Sequence, residues 1–183
     1  DANGTELSNS TTYNHILKAD ITIKAVFAPI DYTITYETQG GNSIANKTYT
    51  IETATFDLPT PTRTGYTFEG WYSNSNFSGT KQTQITQGST GNKTYYAKWT
   101  ANTYTVIFNK NANDAIGTMS NQSHTYGGSK ALTANAFTRT GYTFAGWATT
   151  ANGSKAYDDK ASVSNLSSTN GATVTLYAKW TIN

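Results

Sequence analysis

The residues of this chain that could carry chemistry are few and scattered. The two histidines, His15 and His124, have no HExxH or paired-ligand spacing. Both read as exposed polar filler rather than as zinc ligands or a catalytic base. Asp158-Asp159 is the only adjacent carboxylate pair, and its place in a loop insertion favours a solvated turn over a cation site. The run Asn109, Asn111, Asn113, Asp114 and the N-terminal Asp1-Ala2-Asn3-Gly4 are oxygen-rich. Neither has the carboxylate count or the closing glutamate of an EF-hand calcium loop. Gly127-Gly128 reads as the end of a hairpin strand, since no P-loop, GxSxG or dinucleotide fingerprint occurs. Cysteine is absent, which excludes disulfides, thiolate metal sites and cysteine nucleophiles. The expectation is a chain with no catalytic site, no metal and no cofactor.

The residues that recur are more informative than those that do not. Arg63 to Trp71 reads RTGYTFEGW and Arg139 to Trp147 reads RTGYTFAGW, an offset of 139 − 63 = 76. Tyr96 to Thr100 and Tyr177 to Thr181 both read YAKWT, an offset of 177 − 96 = 81. All four tryptophans and both arginines fall at such matched positions. Self-similarity of this kind marks a repeat architecture. A residue duplicated in every module is better suited to holding the module together than to performing one piece of chemistry.

Composition agrees. The 183 residues carry 13% charged side chains and a net charge of +2. The lysines are scattered singly, so no basic patch suggests nucleic acid as a partner. No apolar run is long enough to span a bilayer as a helix. Abundant Thr, Asn, Ser, Gly and Tyr favour strands joined by turns over helices. The polar start DANGTELSNS reads as a fragment or mature section of a longer protein.

The elements follow from period-2 alternation. Tyr32, Ile34 and Tyr36 share one face of a first strand, and Tyr104, Val106 and Phe108 share its copy. A second strand is expected over residues 47–51 and again over 122–126. Gly65 and Gly141 are expected to take positive φ at a turn into a third strand. A glycine immediately before each tryptophan suggests a β-bulge that turns Phe68 and Trp71 inward together. The last strand places Tyr95, Ala97 and Trp99 inward, and Leu176, Ala178 and Trp180 in the copy. ITIKAVF fits the same slot, with Ile21, Ile23, Ala25 and Phe27 inward. Single helical turns are the most that residues 74–78 and 151–156 could form. Only Thr100 to Thr103 separate the modules, so the joint should be semi-rigid.

The string GYTF-x-GW, followed some thirty residues later by YAKW, resembles the internalin B-type B-repeat, also called the Listeria–Bacteroides repeat. The resemblance covers Ile30 to Thr100 and Asn102 to Thr181. It implies mainly β modules, α+β in the β-grasp or ubiquitin-like sense, in a tandem, elongated array on a bacterial cell surface or in a secreted protein. The domains would be 1–29, the C-terminal part of a divergent upstream repeat, then 30–101 and 102–183. The implied role is a stalk or spacer that presents other domains, with neighbouring repeats as its partners. The alternative is an adhesin segment that binds a host protein or a glycan.

Two sets of residues carry these readings. Phe68, Trp71 and Trp99, with their copies Phe144, Trp147 and Trp180, are the expected structural core. Each buried aromatic removes roughly 150–250 Å² from water, so Trp99→Ala or Trp180→Ala should cost about 3–5 kcal/mol. Tyr96, Lys98, Tyr177 and Lys179 point outward on the last strand and form the candidate binding stripe of the adhesin alternative.

Overall fold

The structure, a computed structural model, describes residues 24–183. The first repeat contains β1 (Tyr32–Glu37), β2 (Lys47–Tyr49), β3 (Phe56–Asp57), β4 (Tyr66–Tyr72), β5 (Gln84–Ile85) and β6 (Lys93–Ala101). The second contains β7 (Thr103–Asn109), β8 (Gln122–Thr125), β9 (Lys130–Ala131), β10 (Tyr142–Ala148), β11 (Ser162–Val163) and β12 (Ala172–Ile182). Each repeat folds its four longer strands into one sheet, ordered β2-β1-β6-β4 and β8-β7-β12-β10. The first and last strands of each repeat pair in parallel at the centre, β1 with β6 and β7 with β12. The edge strands are antiparallel to them.

The alternation read from sequence decides which face is covered. Ile34 and Tyr36 of β1, and Tyr104, Val106 and Phe108 of β7, are buried. The cover over this face is thin. β3 and β5 form a two-stranded ribbon in the first repeat, and β9 and β11 form one in the second. Leu58 and Ile85 close the first core, and Leu132 and Val163 close the second. Among the described residues there is no helix. Residues 74–78 form a turn in which Asn74 Oδ1 accepts the Ser78 amide at 2.9 Å.

Both bulges occur where expected. The β4–β6 register shifts between Phe68 and Gly70, and the β10–β12 register between Phe144 and Gly146. Gly70 and Gly146 adopt φ of 148° and 134°. A Cβ at either would overlap the aliphatic stem of Lys81 or Lys155. Gly65 and Gly141 take φ of 77° and 78° at the preceding turn.

Two expectations need correction. Ala25 and Phe27 lie in no strand and are exposed, Phe27 by 88%. Neither pairs with any strand among the described residues, and an alternating segment buries its apolar face only once paired. Ile21 and Ile23 lie outside the described residues. His124 is not exposed filler but 2% exposed, stacked on Tyr104 with ring centroids 5.4 Å apart. It stands opposite Tyr104 in the β7–β8 pairing, the place Tyr49 takes opposite Tyr32. His15 lies outside the described residues.

Candidate functional site

The repeated aromatics assemble around each bulge. Phe68 lies 5.5 Å from Trp71 and 5.3 Å from Trp99, and Phe144 lies 4.9 Å from Trp147 and 5.8 Å from Trp180. Trp71 and Trp147 are buried, whereas Phe68, Trp99, Phe144 and Trp180 are half-buried at the margin. The marginal tryptophans also tie down loops. Trp99 Nε1 donates to Thr38 O and Trp180 Nε1 to Lys110 O, each at 2.9 Å. Trp71 Nε1 donates to Pro59 O at 2.7 Å, but Trp147 Nε1 has no acceptor among the described residues. Asn135 stands where Pro59 would be, and it uses its side chain on the Phe137 backbone.

The outward stripe differs between repeats. Tyr96, Lys98, Tyr177 and Lys179 are all half-buried. Tyr96 faces Tyr72 across β4–β6, and Lys98 Nζ lies 5.4 Å from the Tyr72 ring centroid. Tyr177 faces Ala148 instead. The aromatic patch of the first repeat is therefore not copied in the second.

Both arginines stack on the tyrosine three residues ahead. The Arg63 and Arg139 guanidinium carbons each lie 3.7 Å from the centroids of Tyr66 and Tyr142. Arg139 Nε also donates to both carboxylate oxygens of Asp114 at 2.8 and 3.0 Å, and this hydrogen bond holds the Asp114 carboxyl below its usual range. Arg63 instead donates to Gln39 O at 3.0 Å and borders an open groove of about 760 Å³ floored by Phe68 and Trp99. Asp158 pairs with Lys155 at 2.6 Å, and Asp159 Oδ1 accepts the Asn135 amide at 2.8 Å.

The most elaborate polar arrangement is the joint between the repeats. β6 ends at Ala101 and β7 starts at Thr103, so Asn102 alone lies outside a strand. It is 8% exposed. Its backbone N–H donates to Gly65 O at 2.9 Å, and its carbonyl accepts the Tyr126 N–H at 2.8 Å. Its side-chain Oδ1 accepts Thr67 Oγ1–H at 2.7 Å, and Nδ2 donates to Ser168 O at 2.7 Å. A carbonyl such as Ser168 O only accepts, which fixes the amide orientation. Two of these bonds reach the first repeat and two the second. The Tyr126 ring packs edge-on against Tyr66, with centroids 5.9 Å apart, and leaves no room for a Cβ on Gly65.

Asn102 is not among the candidates that residue type and motif spacing bring forward. Its signal is the recurrence of Thr-x-Asn after each YAKW, as Asn102 and Asn183. Among the described residues no group of three or more His, Cys, Asp or Glu is gathered as a metal site would need.

The profile of the Listeria-Bacteroides repeat domain matches residues 32–98 and 104–179. Two proteins of Evansella cellulosilytica, named "Putative membrane protein" and "Putative Gly-rich membrane protein", are each 28% identical to the chain over 152 residues, 83% of its length. The aligned part is 21% of the first relative and 16% of the second.

Proposed function

Because the chain belongs to the Listeria-Bacteroides repeat domain family, we propose that it is a non-catalytic spacer in a bacterial surface or secreted protein, presenting other domains of the same polypeptide. Its modules run 30–101 and 102–183. The observation that carries this reading is the joint at Asn102, where one linking residue spends all four of its polar groups on fixing one module against the next. A domain linker that served only to connect would leave its backbone to water. Trp71 and Trp147 sit in the cores, and Trp99 and Trp180 pack at their margins, which agrees with a structural role for the repeat. The names of the two relatives support placement at a membrane or cell surface.

The test is binding of the purified chain to host-cell surfaces and a glycan panel at micromolar concentration, beside a folded Tyr96→Ala/Tyr177→Ala variant. A spacer shows no saturable binding in either protein. Saturable binding that the variant loses would replace this reading with an adhesin contacting its partner through the outward tyrosines.

A further inference from the structure

The C-terminal end of the second repeat carries half of the same joint. Asn183 follows Ile182 as Asn102 follows Ala101, and these two residues hold matched register against Tyr142 and Tyr66. Asn183 N donates to Gly141 O at 3.0 Å, as Asn102 N does to Gly65 O at 2.9 Å. Thr143 Oγ1 donates to Asn183 Oδ1 at 2.7 Å, the same length as the Thr67–Asn102 bond. Gly141 and Gly65 share the same positive φ, and Arg139 lies on Tyr142 as Arg63 lies on Tyr66. The other half has no counterpart among the described residues. A Cβ placed on Gly141 would meet nothing within 4 Å, whereas at Gly65 that space holds the Tyr126 ring.

We propose that Gly141, Tyr142, Thr143 and Asn183 form a docking face for a further repeat of this kind, joined in line through Asn183. The occupant must bring an aromatic side chain on the residue after its second strand, whose backbone N–H then meets Asn183 O. It must also bring a backbone carbonyl for Asn183 Nδ2. Those are the parts Tyr126 and Ser168 supply at Asn102. A second copy of this chain does not present that aromatic at its own N-terminal end. There the place of Tyr126 is taken by Ile51, 48% exposed, and the place of Asn102 by Ile30. An in-line repeat with a tyrosine at the place of Tyr126 supplies both edge packing on Tyr142 and completion of a partly satisfied asparagine.

The inference rests on the spacer reading, but the two fail separately, because ligand binding by the outward tyrosines leaves the geometry of the joint untouched. The experiment extends the full chain at Asn183 with a second copy of residues 103–183. Residual dipolar couplings are then measured for each module, with chemical shifts for the Asn183 side-chain amide. The docking face predicts one shared alignment frame across all three modules and an Asn183 amide shifted to the position of Asn102. Asn183→Ala in the extended chain should then release the third module while every module stays folded by its dispersed spectrum. A third module that tumbles independently in the unsubstituted extended chain would overturn the proposal. So would concentration-dependent self-association of the unextended chain that Tyr142→Ala abolishes, since the occupant would then be a second copy.

Discussion

Several buried polar atoms find no partner among the described residues, and the internal repeat supplies a comparison for two of them. Tyr36 Oη is buried without a hydrogen bond, and the matched residue of the second repeat is Phe108. Burial raises the Tyr36 pKa, so the hydroxyl stays neutral and contributes only its desolvation cost. Tyr36→Phe should therefore leave the first repeat unchanged or stabilise it by up to about 1 kcal/mol, read from its urea midpoint; a loss of stability would show that the hydroxyl has a partner. His124 shows the opposite liability. Burial, with Lys130 as the lesser cause, pushes its imidazole below the usual 6.5. The unfolded chain then binds the proton more readily than the folded one, so stability is complete above pH 6.5 and declines as pH falls toward the folded-state value. The second repeat should melt earlier at pH 5 than at pH 7, and His124→Phe should reduce that difference. An unchanged pH dependence in the variant would place the effect elsewhere. The burial of His124 was not legible in the sequence. The alternation gives the strand, but a polar residue on a covered face of a four-residue edge strand looks like one on an open face.

At the level of elements, the long strands and both bulges were legible, because alternation and the glycine before each tryptophan are local signals. The two-residue ribbons were not, since β3, β5, β9 and β11 are too short to show a period. Their ribbon covers the core in place of a helix. The core tryptophans also divide by position in a way spacing does not reveal. Trp147 on β10 is fully buried, and Trp180 on β12 is a half-buried loop anchor. Trp147→Ala should cost about 3–5 kcal/mol, more than Trp180→Ala, and each should lower the melting of the second repeat alone. Equal losses for the two variants, measured by denaturant titration, would show that margin and centre contribute alike.

Over the whole molecule, the sequence established a tandem array, while the means of holding it together became visible only when Asn102, Thr67, Tyr126 and Ser168 were brought to one place. Asn102→Ala leaves the Thr67 hydroxyl and Ser168 carbonyl without that partner, at a cost of about 1–3 kcal/mol. It should loosen the orientation between the repeats more than it lowers the melting of either. Dipolar couplings that still fit one frame in the variant would assign the rigidity to the Tyr66–Tyr126 contact instead. The parallel pairing at each sheet centre has a mechanical consequence. A chain pulled from its two ends loads β1 against β6, and β7 against β12, along their own axes. Strands that run parallel side by side then slide in shear, with all their hydrogen bonds strained together rather than unzipped singly. β1 and β6 share four paired positions, and β7 and β12 share six. In single-molecule pulling, where rupture follows the unfolding rate, the first repeat should yield at lower force than the second, and both should resist more than a sheet peeled from its edge.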